Sequence, residues 1–466
     1  MIIALERRDI PNVHELLTLV PDSALEDPHT QFLMFKVALR TDDHELAVQA
    51  LGKVYANAKK DATLLYACVL DAQQNGDKQI TIKALQMVLE KYEYSAPDGV
   101  HMPALIRCTI RLLTSQLEAE DVEDDKKARL VEELCRLLDG AARKAMQVLK
   151  RPQEKDVLWT VGELDWFSKN AYNLALKHCK EWPPRLVLSL VQSCLTFGSI
   201  YRSSLPQEAQ DDVLLRGMFC DFLASVLLIA LARPEDNVEQ QLQDYLELRK
   251  HVASFDEKFQ SKMEDLEDGP KQDLMKKLGS MLLWDLEAAI RLKKWAEIGD
   301  CVLKAETCES MKVYEGLCDM LIAGQEQEKI PVITTIDALK RITNAAWQLT
   351  TFPITTLSRY YRCLFRLSLQ VPSPSPIPLE LLTQVASLAE QAKESEVPYP
   401  DDELEYLATT AFNKAVDYYC IQDDENCQVW AGAAVEISGF VGDGGALRAC
   451  LQERLLGLRF DRGDEM

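Results

Sequence analysis

One segment of this chain occurs twice, first from Glu163 and again from Glu403. The first copy reads ELDWFSKNAYNLAL and the second ELEYLATTAFNKAV. Glu, Leu, Ala, Asn and Ala are identical at matched positions, and the aromatic and apolar positions carry close substitutions. Apolar side chains in both copies recur at three- and four-residue spacing, which is typical of one face of a helix. The two copies are therefore predicted to be equivalent helical units of one array.

Helical periodicity extends over almost the whole chain. Leu65 and Cys68 begin an apolar face that ends near Gly76, a residue that tolerates the left-handed backbone at a helix C-terminus. Asp77 can accept amide hydrogen bonds at the start of the next helix. Residues 62–92 are thus predicted to form an antiparallel helix pair with a short turn.

Prolines fall between these periodic runs, where helix breaks are expected. We count roughly twenty helical runs and no alternating strand, far above the usual helix share of about one third. Within the repeated segment, Phe167 is followed four positions later by the small Ala171, and Leu407 by Ala411. Helix pairs of about 34 residues with such large and small positions are typical of tetratricopeptide (TPR) repeats. The sequence predicts an all-α fold, an α-solenoid of TPR-like antiparallel helix pairs.

Three polar or proline-rich stretches define the predicted domains. The acidic stretches at 118–127 and 261–273 are predicted to be mobile connectors or solvated helix ends. VPSPSPIP, at 371–378, is predicted to be a non-helical linker that spans on the order of 25 Å when extended. An SH3-type ligand is the alternative, but no basic anchor flanks it. The sequence therefore predicts a TPR-like α-solenoid over 1–370 and C-terminal helical repeats over 379–466.

The two copies also supply the predicted site, whose residues serve either repeat packing or a groove for a partner. Asn173 and Asn413 have two interpretations. The favoured one is a buried amide that bridges neighbouring helices, since a buried amide must find partners. The other is an amide that lines a groove and holds the backbone of a partner peptide. The whole predicted set is Trp166, Phe167, Ala171, Tyr172, Asn173, Tyr406, Ala411, Phe412 and Asn413.

Four blocks carry a resemblance to a known family. They are KDATLLYACVLDAQQNGDKQ at 60–79, VLEKYEYSAPDGVHMPALIRCTIRLL at 88–113, WFSKNAYNLAL at 166–176 and YPDDELEYLATTAFNKAVDYYCIQDDENCQVW at 399–430. Together they resemble the fungal branch of the meiotic Zip-four/Spo-twenty-two family of TPR scaffold proteins. Because members of that family are usually much longer at the N-terminus, the chain is expected to correspond to the C-terminal half of a full-length member.

The resemblance implies a function without catalysis. Family members promote crossover recombination and chromosome synapsis, so it implies a nuclear, chromosome-associated scaffold whose partners are meiotic crossover and synapsis proteins. The alternative is a generic TPR adaptor of a cytosolic or proteasome-like regulatory complex.

Net charge, cysteine usage and apolar runs indicate which ligands and which cellular compartment to expect. The formal net charge of −22 opposes direct attraction to a phosphate backbone, so nucleic acid is not expected as a direct ligand. The 13 cysteines form no CxxC pair, which indicates reduced thiols in an intracellular protein. In MIIALERRDI charged residues begin at Glu6, so the apolar stretch before them is too short for a signal peptide. The apolar run at 222–232 is shorter than the roughly 18 to 20 residues that cross a bilayer, so a buried core helix and no membrane contact are predicted.

No motif in the sequence predicts catalysis, a cofactor site or a metal site. The glycine-rich stretch at 439–450 lacks the GK[ST] ending of a phosphate-binding loop. Cys301 and Cys308 are two helical turns apart, as are Cys420 and Cys427, and each pair supplies at most half a zinc site. These thiols are therefore predicted to be small core residues, and the protein is predicted not to be an enzyme.

Overall fold

A computed structural model describes residues 15–16, 19–57, 63–92, 101–119, 123–150, 159–349, 352–372, 375–393 and 397–458. Across these ranges it contains nineteen α-helices, three short 3-10 helices and no β-strand. The predicted all-α fold is therefore confirmed. Residues 93–100 of the block at 88–113, residues 60–62 of the 60–79 block and the N-terminal residues through 14 lie outside the described residues.

Two compact units divide the chain, Met1–Leu227 and Leu228–Met466. The first unit contains α1 (Pro28–Arg40), α2 (His44–Asn57), α3 (Thr63–Asn75), α4 (Lys78–Tyr92), α5 (Met102–Leu117), α6 (Asp124–Lys150), α7 (Val161–His178) and α8 (Pro184–Tyr201). Helix α9 (Gln207–Ala232) begins in the first unit and ends in the second. The second unit continues with α10 (Val238–Gln260), α11 (Asp268–Arg291), α12 (Ile298–Glu306), α13 (Met311–Gln327), α14 (Val332–Gln348), α15 (Ile354–Ser368), α16 (Ile377–Ala392), α17 (Asp401–Cys420), α18 (Asp424–Ser438) and α19 (Ala446–Leu456). The 3-10 helices are Asp22–Ala24, Arg202–Ser204 and Trp295–Glu297.

Helices in each unit pack on the next helix and on the one after it. In the first unit α1 contacts α2 and α3, and α2 contacts α4. In the second unit α15 contacts α16 and α17, and α16 contacts α18. In a solenoid each repeat contacts only its neighbours in the sequence and covers the apolar face of the adjacent repeat. The α-solenoid prediction is confirmed.

Side-chain contacts between successive helix pairs give the repeat length. Asn75 donates to the carbonyl of Leu39 at 2.8 Å, across 36 positions of sequence. Tyr360 donates to Asp319 Oδ1 at 3.0 Å, across 41 positions. These separations exceed the roughly 34 residues of a standard TPR unit. The units are therefore helix pairs of TPR type with longer and less regular repeats.

The predicted pair over 62–92 corresponds to α3 and α4. Leu65 and Cys68 are fully buried, and Gly76 takes a φ of 81° in the turn between the helices. Asp77 accepts a hydrogen bond from the backbone amide of Ile80 at 3.0 Å, as expected of a residue that caps a helix. The turn chemistry predicted from the sequence is thus present in the structure.

The polar stretches lie partly inside helices. Helix α6 begins at Asp124 and α11 at Asp268, so both acidic stretches run into first helical turns, where carboxylates face the positive end of the helix dipole. Residues 120–122 and 373–374 lie outside the described residues. The prediction that 371–378 is wholly non-helical is wrong at Ile377 and Pro378, which open α16. Proline fits a first turn because its missing N–H has no acceptor there.

The helices on the two sides of the proline-rich stretch, α15 and α16, are in contact. The domain boundary predicted at this stretch, with an α-solenoid over 1–370 and further repeats over 379–466, stays a prediction.

Helix α9 is longer than the apolar run at 222–232 indicates. It has 26 residues and is long and apolar enough to cross a membrane by length and composition, so the length argument from the sequence is wrong. In its most apolar stretch 56% of the residues are buried. Arg216 on this helix donates to Ser168 Oγ at 3.1 Å and to the Tyr201 hydroxyl at 3.2 Å, and Asp221 is buried. Buried polar side chains with protein partners favour a core helix.

The burial of Ala171 predicts a cost for any larger side chain at its position. Ala171 has no exposed surface, so Ala171→Trp should lower the free energy of unfolding by about 1 to 3 kcal/mol through overpacking. Thermal unfolding of the purified chain measures this change. Leu176→Trp is the matched control, since Leu176 on the same helix is 45% exposed and should accept the ring. Equal thermal midpoints for the two variants would contradict the packing.

Candidate protein-interaction sites

The two copies of the repeated segment lie in α7 and α17, and four of the nine predicted site residues are buried in packing. Phe167 is fully buried and stacks on Phe197 of α8, with ring centroids 5.4 Å apart. Ala171 and Ala411 have no exposed surface, and Phe412 is buried as well. Such burial fits small residues that let helix backbones approach and large ones that fill the groove beside them.

The other predicted residues lie on a more open face of the same helices. Trp166, Tyr172 and Tyr406 are half-buried, while Asn173 and Asn413 are exposed. The interpretation of these two asparagines as buried bridges between helices is therefore wrong, because a solvated amide needs no protein partner. Asn173 is seven residues after Trp166, as Asn413 is after Tyr406, so each asparagine shares a helix face with an aromatic ring.

An arginine packs over that aromatic ring in the first unit. Arg107 of α5 donates from Nη1 to Glu163 Oε1 at 2.8 Å, and its guanidinium lies 5.9 Å from the Trp166 ring centroid. Arg111, one turn further along α5, lies 5.6 Å from the same ring. Arg107, Arg111, Glu163 and Trp166 are called the Arg107 cluster below. Cation–π contacts at partly exposed sites contribute about 0.5 to 1 kcal/mol each.

The second unit holds an equivalent group. Arg362 of α15 has its Nη1 at 3.5 Å from Glu403 Oε1, and its guanidinium lies 4.0 Å from the Tyr406 ring centroid. Arg366 follows one turn later and pairs with Glu326 at 3.3 Å. Arg362, Arg366, Glu403 and Tyr406 are called the Arg362 cluster below. Glutamate and aromatic ring come from the repeated segment in both clusters, and the arginines come from an earlier helix.

The arginines of both clusters also share a local sequence, which was not used to predict the site. Residues 107–112 read RCTIRL and residues 362–367 read RCLFRL. A fixed offset does not reveal the pairing, because the helix between the partners differs in length. Helix α6 has 27 residues, whereas the equivalent α16 has 16. A search for RCxxRL upstream of each repeated segment is the signal that finds both clusters.

Each cluster contains a buried carboxylate oxygen with no hydrogen-bond partner among the described residues. These atoms are Glu163 Oε2 and Glu403 Oε2. Leaving such an acceptor unsatisfied costs about 1 to 3 kcal/mol. Glu403 is only 5% exposed, and burial raises the pKa of its carboxyl group while Arg362 opposes that rise. The same unfavourable feature occurs at equivalent positions of both units, and in each unit the glutamate contacts an arginine.

The clusters are suited to recognition. A guanidinium that stacks on a ring keeps the N–H groups at its edge free to bind carboxylates. Neither cluster places a nucleophile beside a general base. The arrangement can therefore orient positive charge at the surface of a repeat.

The cysteine pairs behave as core thiols where they are buried. Cys301 is buried and donates to Asp285 Oδ2 at 3.0 Å, and burial raises the pKa of Cys308 to about 11. Cys427 is buried, but Cys420 is exposed, so the prediction of a core thiol is wrong at Cys420. Among the described residues no group of three or more His, Cys, Asp or Glu side chains is arranged to hold a metal ion.

The stacked helix pairs define a helical-repeat protein. No family model matches the chain. It is 20% identical over 459 residues to Sporulation-specific protein 22 of Saccharomyces cerevisiae, across 93% of this chain and 45% of that protein. The chain thus spans less than half the length of this relative. The similarity agrees with the resemblance to the Zip-four/Spo-twenty-two family; membership of the fungal branch and correspondence to its C-terminal half stay predictions.

Solved structures add little to this assignment. A circular tandem repeat protein with novel repeat topology covers 98% of this chain, with 14% sequence identity and a TM-score of 0.26. That likeness is too remote to define the fold of this chain, which rests on its own helices and their contacts.

The buried carboxyl of Glu403 predicts a pH-dependent stability. Because its pKa is raised on folding, the folded chain keeps the proton to higher pH than the unfolded chain, and stability falls as pH rises above the usual glutamate pKa. Glutamine has no charge to bury. As pH rises above the usual glutamate pKa, the thermal midpoint of Glu403→Gln should therefore increase relative to that of the wild type. Glu405→Gln, at an exposed carboxylate two residues further along the same helix, is the control. A difference between Glu403→Gln and wild type that stays constant with pH would contradict the effect of burial.

Proposed function

We propose that this protein is a non-enzymatic scaffold that holds other proteins together during meiosis. The observation that carries the proposal is the similarity to Sporulation-specific protein 22 over 93% of the chain. The α-solenoid supports it, since stacked repeats present extended surfaces to partner proteins. The two arginine clusters supply such surfaces, one in each compact unit.

The finer proposal follows the family resemblance. The scaffold acts in the nucleus, associated with chromosomes, and gathers factors of crossover recombination and synapsis. With a net charge of −22 the chain reaches chromatin through protein partners and not through DNA itself. The exposed Asn173 and Asn413 are proposed to contact a partner on the same helix faces as Trp166 and Tyr406.

Deletion of the gene tests the meiotic role. We expect fewer crossovers and lower spore viability, because a missing scaffold leaves its partners unassembled. Crossovers are counted from marked chromosomes in the deletion strain and in a strain restored with the full-length gene. Normal crossover numbers and normal spore viability would overturn the proposal.

Co-purification separates the two candidate functions. The tagged chain, isolated from cells in sexual development, should recover chromosomal proteins that are absent from vegetative cells. Steady vegetative expression together with recovery of a cytosolic or proteasome-like complex would favour the generic adaptor instead.

A further inference from the structure

Both arginine clusters present cations on a chain that is otherwise strongly acidic. In the second unit Arg359, Arg362 and Arg366 are all exposed and follow one another at three- and four-residue spacing, so they form a row along one face of α15. In the first unit Arg111 is exposed and Arg107 half-buried on α5. Since the whole chain carries a net charge of −22, an acidic ligand is repelled by most of its surface and attracted at these rows.

The inner arginine of each row is held in place before any ligand arrives. Arg107 is fixed by Glu163 and the Trp166 ring, and Arg362 by Glu403 and the Tyr406 ring. Fixing a long side chain in advance lowers the entropy lost on binding. The glutamates act as positioning residues, which accounts for carboxylates that are buried with one oxygen unpaired.

The outer arginines have weaker ties to the protein. Arg111 has no carboxylate within 4 Å among the described residues, and Arg366 pairs with Glu326 through side chains that are 52% and 62% exposed. An exposed ion pair of this kind contributes little to stability, so Arg366 can exchange Glu326 for another carboxylate.

Spacing sets the distance between the two carboxylates that a ligand must offer. Arginines four residues apart on a helix are separated by about 6 Å along its axis. In an extended chain, alternate side chains point the same way and lie about 6.6 Å apart. Carboxylates at alternate positions of an extended segment therefore match the guanidinium pair.

We propose that the Arg107 cluster and the Arg362 cluster are two equivalent docking sites for extended acidic segments of partner proteins, read as carboxylates at alternate positions. This inference rests on the proposed scaffold function and names the chemistry of its partners. Each guanidinium binds one carboxylate with its N–H edge. The Trp166 ring lies beside both arginines of the first cluster, and the Tyr406 ring lies beside Arg362 in the second.

The test uses calorimetric titration of the full chain with a short peptide that alternates Glu and Ser. We expect two peptides per chain and affinity that falls as salt is added. The pair Arg362→Ala and Arg366→Ala should reduce the stoichiometry to one, as should Arg107→Ala with Arg111→Ala. All four substitutions together should abolish binding. Replacing the same four arginines by lysine keeps the charge but removes the planar guanidinium that binds a carboxylate through two N–H groups. Binding should weaken by roughly tenfold.

Matched controls identify non-specific attraction. Arg143→Ala and Arg233→Ala remove exposed arginines that pair with Asp139 and Glu287 outside the clusters, and should leave two sites. A peptide with the same number of glutamates at every third position places neighbouring carboxylates on opposite sides of an extended chain and should bind more weakly. A peptide that alternates Lys and Ser should not bind. Helical circular dichroism and a cooperative thermal transition show that the alanine variants remain folded, although their midpoints should fall because each loses an ion pair with a largely buried glutamate.

Several outcomes would overturn the inference. These are no binding by the wild-type chain, undiminished binding by the fourfold alanine variant, and equal affinity for the alternating peptide and the peptide with glutamates at every third position. The scaffold function fails separately: if the fourfold variant restores normal crossover numbers to the deletion strain, the docking sites are wrong and the scaffold stands. Normal crossover numbers in the deletion strain itself would contradict the proposed scaffold function.

Discussion

Close packing between successive helices is the constraint on which the rest of this structure depends. No helix pair can bury its apolar face alone, so each relies on contact with the next pair. Ala171 and Ala411 are fully buried at matched positions of α7 and α17, and Phe167 stacks on Phe197 of the neighbouring helix. Because small and large residues alternate in this way, the array forms a surface on which other side chains can be placed at regular intervals.

The two arginine clusters use that regularity. Glutamate and aromatic ring lie three residues apart on one helix, and the arginine reaches them from a helix earlier in the chain. Each cluster holds charge at the surface through a carboxylate that is itself largely buried. Such an arrangement adds little to stability, since one oxygen of each glutamate has no partner among the described residues. Its repetition in both compact units is the reason to connect it with binding.

Sequence reasoning was accurate where local signals set the structure. Apolar spacing identified α3 and α4, and Gly76 and Asp77 marked the turn between them. It was inaccurate at boundaries. Helix α9 extends well beyond its apolar run. A polar residue such as Arg216 suggests an exposed helix end in the sequence, but in the structure Arg216 has hydrogen-bond partners inside the protein. Pro378 opens a helix, since proline fits a first turn as well as a linker.

By itself the sequence determined the all-α class, the repeated unit and the residues that pack within it, because helix periodicity and small-residue spacing are local properties of the chain. Only the tertiary structure decided that Asn173 and Asn413 are exposed and that Arg107 and Arg362 lie over Trp166 and Tyr406. Those contacts join residues from different helix pairs. Their partners depend on how the intervening helices stack and on how long those helices are, and neither quantity is encoded at the position of any one residue.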